Sequence, residues 1–273
     1  MLTAAGIVTG SVPELWVRHL LTLTTATPRT RLPIAQIKPR NQPLTAGRSG
    51  PESSYRTLRS TGVTFLITRS RGPCLAGAVA KTQYYTAASI DGFIADRNNS
   101  LDWLSEAGSS AGKEDRFASF FAGVGAMAMG ARTYEWAVEH ERLLEDPAKW
   151  RRWYGSVPCW VFTHRRLPAV PGADLVFAHG NVRGVHEEMM SAADGRNVWL
   201  VGGGDMVGQF ADRGLLDEIL LEIAPVMLAE GTALLPRRLL ASELTLAAVG
   251  RDAQFVFLTY QVTHEGQRPV RPG

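Results

Sequence analysis

A chain of 273 residues, 45% of them apolar, has enough material for one large buried core or two small ones. Its net charge of +3 hides an asymmetry: residues 1–80 carry ten Lys or Arg against two Asp or Glu, and residues 81–273 carry nineteen against twenty-four. No apolar run reaches the ~20 residues that span a bilayer. The two cysteines, Cys74 and Cys159, sit without metal-ligand spacing, which speaks against a disulfide framework and for a reducing, cytoplasmic compartment.

The basic charge therefore belongs to residues 1–80. Thr, Arg, Pro and Ser dominate there, and Thr25 to Ser54 shows almost no apolar periodicity. The segment reads as a disordered N-terminal extension, with a short helix possible at Leu15–Leu21 and an edge strand within Val63–Thr68. Leaders rich in Ser, Thr and Arg and poor in acids also resemble organelle transit peptides. Its arginines are scattered singly without interleaved aromatics, so nucleic acid is not the expected partner. Residues 264–273 read as a flexible tail.

From residue 81 the pattern alternates. Gln83–Ala88 reads as a buried strand, followed by a helix at Glu114–Ala122 and short buried strands at Ala126–Met129, Cys159–Thr163 and Val198–Val201. Val182, Val185, His186, Met189, Met190 and Ala193 recur at helical spacing and predict an amphipathic helix lying on a sheet. His186 on that face reads as a core-edge histidine rather than a ligand. Beyond Leu215 the pattern becomes strands only, at Asp217–Ile223, Leu244–Val249 and Phe255–Val262. This predicts one α/β domain over residues 81–263, with a mostly parallel sheet closed by an antiparallel C-terminal hairpin.

The strongest chemical signal is Val201-Gly202-Gly203-Gly204-Asp205-Met206-Val207, where a buried strand runs into three glycines and then a helix expected over Asp205–Arg213. Glycines let backbone approach a ligand closely. A helix N-terminus offers free N–H groups and a positive dipole end suited to phosphate. Gly202, Gly204 and Gly208 also nearly fit a Rossmann fingerprint, but the motif lies late in the domain and the next strand ends in Glu222-Ile223-Ala224-Pro225, against that pattern.

Two further segments give the triple glycine a context. They are Thr86-Ala87-Ala88-Ser89-Ile90-Asp91-Gly92-Phe93-Ile94, followed by Leu101-Asp102-Trp103-Leu104, and Met129-Gly130-Ala131-Arg132-Thr133-Tyr134. In this order and spacing the three resemble the dihydrofolate reductase superfamily, above all the reductase domain of the riboflavin-biosynthesis deaminase/reductase and its stand-alone bacterial relatives. The resemblance covers residues 81–263 and implies a three-layer α/β/α fold. It implies an NADPH-dependent reductase acting on a pyrimidine or pteridine-like heterocycle, similar to 5-amino-6-(5-phosphoribosylamino)uracil reductase. Dihydrofolate reductase activity, or nucleotide binding without turnover, are the alternatives. It also implies a homodimer formed through the C-terminal strands.

Residue by residue, the resemblance places Ala87, Ala88, Asp91, Gly92 and Ile94 at the nicotinamide. Gly130, Arg132 and Thr133 fall at the cofactor phosphates, with Ala131 where the family has its first Arg. Thr163, His164 and Arg165 fall at the adenosine 2′-phosphate, favouring NADPH over NADH. Val201, Gly202, Gly203, Gly204, Asp205, Met206 and Val207 fall at the pyrophosphate, with a cis bond expected between Gly202 and Gly203. Asp91 and a carboxylate opening the helix after residue 113, Glu114 or Asp115, are the catalytic candidates. Phe93 stands where many riboflavin-pathway reductases have Lys, and no zinc-deaminase signature occurs.

Overall fold

The structure, a computed structural model, describes residues 79–108 and 113–264 and two short strands at 59–60 and 63–64; of 113–115 it describes the backbone alone. The expectations for the rest of the N-terminal extension and for the tail lie outside these residues. Within Val63–Thr68, Val63–Thr64 (β2) pairs antiparallel with Arg59–Ser60 (β1).

The sheet is organised around Thr82–Ala88 (β3), which is buried along its whole length. Its Tyr84, Tyr85, Ala87 and Ala88, with Thr82, Gln83 and Thr86 equally buried, suit a strand covered on both faces. Asn197–Val201 (β8) and Glu218–Ile223 (β9) flank it, both parallel. Val124–Gly130 (β5), Cys159–Phe162 (β6) and Leu175–Ala178 (β7) extend the sheet on the β8 side, all parallel. Phe255–Val262 (β12) joins β9 antiparallel, and Leu244–Asp252 (β11) forms the outer edge. The order is β11-β12-β9-β3-β8-β5-β6-β7. This is the expected parallel sheet with its antiparallel C-terminal hairpin. A small second pairing joins Phe93–Ala95 (β4) to Thr232–Ala233 (β10).

Side chains alternate between the two faces, with one register shift between Val124 and Ala126 of β5. Tyr84, Ala126, Ala128, Trp160, Val198, Leu200 and Ile219 point to one core. It is covered by Val182–Ala193 (α5) and Gly204–Ala211 (α6). Tyr85, Met127, Met129, Cys159, Val161, Trp199 and Val201 point to the other. That face is covered by Lys113–Ala122 (α2), Ala131–His140 (α3) and Ala148–Tyr154 (α4). The result is the three-layer α/β/α arrangement. A short helix, Asp102–Glu106 (α1), buries Trp103 and Leu104 against Ala87 and Phe255 in a third, smaller cluster.

The second core is aromatic. Trp199 is fully buried and meets Phe117, Phe120 and Phe121 edge-on at ring separations of 5.6, 5.6 and 6.1 Å. Such pairs add ~0.5–1.5 kcal/mol each beyond area burial. The amphipathic helix has the bounds that its periodicity predicts, and His186 on it shares a hydrogen bond of 2.7 Å between Nε2 and the Thr82 hydroxyl. The histidine is therefore the core-edge group that the pattern implies.

Candidate functional site

The site is a cleft of about 730 Å³ at the carboxyl ends of β5, β6 and β8. In parallel α/β sheets ligands gather at this end, because each strand there turns into a helix whose N-terminus faces outward. Two such helices face the same cleft here. α3 starts directly from β5, with Gly130 in extended conformation as its cap and no side chain bonded to its first turn. α6 starts from Gly203, again without a side-chain cap. Each first turn has N–H groups without intrahelical partners, and both positive dipole ends are aimed at one space.

The glycines are there for close approach. Gly202 has φ +79°, and a Cβ on it would stand 2.3 Å from the Thr133 hydroxyl. The two motifs thus meet, the triple glycine of β8 lying against the α3 start. A Cβ on Gly204 would stand 2.3 Å from the Leu234 carbonyl oxygen, so α6 sits directly on the backbone where β10 ends. Gly203 differs from both: it lines the cleft and nothing stands within 4 Å of where its Cβ would be. The expected cis bond between Gly202 and Gly203 is not there. Every peptide bond among the described residues is trans, and the positive φ of Gly202 makes the turn instead. The helix also begins one residue earlier than expected, at Gly204, and ends at Ala211.

Most of the expected cofactor residues come together. Ile94, Gly130, Arg132, Thr133, Thr163, His164, Arg165, Gly202, Gly203, Gly204, Asp205 and Met206 all line the cleft. Thr163 and Arg165 form a tight turn: the Thr163 hydroxyl accepts from the Arg165 N–H at 3.0 Å and donates to its carbonyl at 3.2 Å. Arg165 extends from that turn to an ion pair with Glu135 of α3. Arg132 is exposed in the cleft. Val201 and Val207 are buried beneath the floor, where they hold β8 and α6 in place.

The start of the domain is used differently. Ala88 is fully buried, and its carbonyl accepts from the Ala224 N–H. Gly92, at φ +85°, makes the turn after β3 and accepts the Leu234 N–H at 2.9 Å. Asp91 does not line the cleft. Its carboxylate accepts from the Ser89 hydroxyl at 2.6 Å and from the N–H groups of Leu228 and Ala229 at 3.1 and 2.7 Å. These donors hold it below the usual carboxylate range, the Ser89 hydroxyl foremost. Asp91 therefore ties the β3–β4 turn to the loop after β9. The side chains of Glu114 and Asp115 lie outside the described residues.

Sequence reasoning missed the cleft face of α3. Glu135, Trp136 and Glu139 line the cleft with Arg132, and their spacing of i, i+3, i+4 and i+7 is the signal that places them on one side of a helix. Asn99, Leu101 and Thr232 also line it; the β4–β10 pairing and the Thr232 hydroxyl's hydrogen bond to Asn99 Oδ1 at 3.0 Å join Thr232 to that segment. Among the described residues no group of His, Cys, Asp or Glu is placed to hold a metal. Cys159 is fully buried, and burial pushes its thiol up, away from any nucleophilic role. Among the described residues no helix is long and apolar enough to cross a membrane.

Comparison with known proteins agrees with this geometry. The uncharacterized protein YwjB of Bacillus subtilis (strain 168) is 28% identical over 181 residues, covering 66% of this chain and 97% of its own. Another uncharacterized protein of the same organism, YyaP, is 26% identical over 157 residues, covering 54% of this chain and 76% of its own. The crystal structure of a putative riboflavin biosynthesis protein from Shewanella sp. PV-4 superposes with a TM-score of 0.52 at 22% identity. That match covers 67% of this chain and 99% of the Shewanella chain, and it shows the same fold. The model of the RibD C-terminal domain matches residues 80–256, from just before β3 to the start of β12 and including both helical layers, so the chain belongs to the RibD C-terminal domain family.

Proposed function

We propose that residues 81–263 are an NADPH-dependent reductase acting on a pyrimidine or pteridine-like heterocycle, of the kind that riboflavin biosynthesis uses. One observation carries this reading: two helix N-termini without side-chain caps, α3 and α6, converge with the open Gly203 on one cleft. That arrangement suits a diphosphate bridging two sites of partial positive charge. Membership of the RibD C-terminal domain family supports the reductase class.

The fit is specific at several positions. A bound dinucleotide supplies the hydride; the protein supplies position and exclusion of water. The backbone at Gly203 and Gly204 would hold the pyrophosphate, and Arg132, Thr163 and Arg165 the 2′-phosphate, through charge-assisted hydrogen bonds. Glu114 and Asp115, opening α2, are our candidates for the carboxyl group that holds the heterocycle. Asp91 positions the loop between β9 and β10. The outer strand β11 turns Leu246 and Val249 to solvent, which supports a homodimer through this edge.

The test is a fluorescence titration of the full chain with NADPH and with NADH; Trp136 in the cleft is a natural reporter. Tight NADPH binding with weaker NADH binding is expected. Binding of neither overturns the reading. Binding without oxidation in the presence of pteridines and riboflavin-pathway pyrimidines would leave a nucleotide-binding protein without turnover.

A further inference from the structure

The cleft holds an acidic group beside its phosphate-binding candidates. Glu135 stands one turn after Arg132 on the cleft face of α3, and its Oε2 pairs with Nη2 of Arg165 across the opening. The pair is only half covered, with 58% of the Arg165 side chain and 36% of the Glu135 side chain exposed. The Thr163 hydroxyl bonds both the backbone N–H and the carbonyl of Arg165, which fixes the turn that carries the guanidinium toward Glu135. Its charge is thus already compensated where an anion would meet it. Arg132 has no ion pair among the described residues.

A phosphate and a hydroxyl feel this carboxylate oppositely. A phosphate of nearly two negative charges drawn to Arg165 must lie close to Glu135, and like charges at that range repel. A ribose hydroxyl in the same place finds an acceptor. We infer that Glu135 is a specificity-determining residue: its carboxylate, held on Arg165, weakens binding of a 2′-phosphorylated dinucleotide and favours the 2′-hydroxyl form. The inference rests on reading the cleft as a dinucleotide site. The preference conferred by Arg132 and Arg165 is narrowed by Glu135, not reversed.

The experiment uses the full chain, its Glu135→Gln variant and, as a second removal of the charge, Glu135→Ala. Kd is measured for NADPH and for NADH, with a thermal melt to confirm folding. Glu135→Gln keeps the size and one acceptor oxygen, exchanges the other oxygen for an amide donor, and removes the charge. NADPH affinity should rise roughly ten-fold while NADH affinity changes by less than about two-fold. Higher salt should shrink the gain, since the contact is partly solvated. A Kd ratio for the two nucleotides that is unchanged in both variants, with the parent binding, overturns the role of Glu135. A parent that binds neither nucleotide overturns the dinucleotide reading and this inference together.

Discussion

The two ends of the central sheet are built on opposite terms. At the amino end the starts of β3, β8 and β9 are stitched by side chains. Asn197 accepts the Lys81 N–H at 2.9 Å and Asp217 the Thr82 N–H at 2.7 Å. Glu218 accepts from the Gln83 amide at 2.6 Å and pairs with Lys81 at 2.9 Å. At the carboxyl end β5 and β8 run into glycine, and the helices that follow them, α3 and α6, have no side-chain caps. Buried backbone groups ordinarily find partners inside the protein. An end that leaves its donors facing a cleft has kept them for something else. The difference separates residues that hold the fold from residues that the proposed function gives to a ligand.

Substitutions at the two ends should therefore fail in different ways. The largest effect is expected from Gly204→Ala. Its methyl group would meet the Leu234 and Ala233 carbonyl oxygens at 2.3 and 2.7 Å, and backbone cannot step aside as a side chain can. Stability should fall by about 2–3 kcal/mol in urea denaturation, and nucleotide affinity should fall with it as the α6 start is displaced. At the closed end, Glu218→Ala leaves the buried Gln83 amide without its acceptor. A loss of about 1–3 kcal/mol is expected, with nucleotide Kd unchanged. A Kd that moved with Glu218→Ala would erase the distinction between the ends.

Smaller effects sharpen the contrast. Burial holds His186 below its ordinary pKa of 6.5. The unfolded chain thus takes up the proton first, so stability is full above about pH 6.5 and declines as pH falls below it. The decline should be weaker in His186→Gln, compared by thermal melts at several pH values. The smallest change in global stability is expected from Asp91→Ala, which removes a clamp between two surface turns. Its signature is faster hydrogen exchange at the Leu228 and Ala229 amides, with cleft binding largely retained.

Much of this architecture is legible in the sequence, for physical reasons that differ by element. β3, β5, β6 and β8 are short apolar runs ended by polar or glycine turns, and α5 shows one apolar face over three turns. Those signals are local. β7 is an edge strand with Val176 turned outward, and its four residues carry no period long enough to read. α4 buries Trp150 and Tyr154 at i and i+4, a signal present in the sequence but crowded by Lys149, Arg151 and Arg152. In the site, the glycine turns are legible because backbone geometry demands particular residues, and Thr163 and Arg165 are reached through the family resemblance. The Glu135–Arg165 pair is not legible. It joins residues 30 apart through the packing of α3 beside β6, and no local pattern records it. The same holds for the bonds of Asp91 to Leu228 and Ala229, 137 and 138 residues downstream.

The position of β3 has a consequence for how the protein is made. It is the first strand of the sheet to be synthesised, and its partners β8 and β9 begin at Asn197 and Glu218. A ribosome must add more than a hundred further residues before this apolar segment can find either neighbour. Until then a nascent chain exposes Tyr84, Tyr85 and Ala88 with nothing to pair them. Sheets of such long-range order fold slowly and invite misassociation while incomplete. The domain should accordingly depend on chaperone protection during synthesis more than a helical bundle of equal length does.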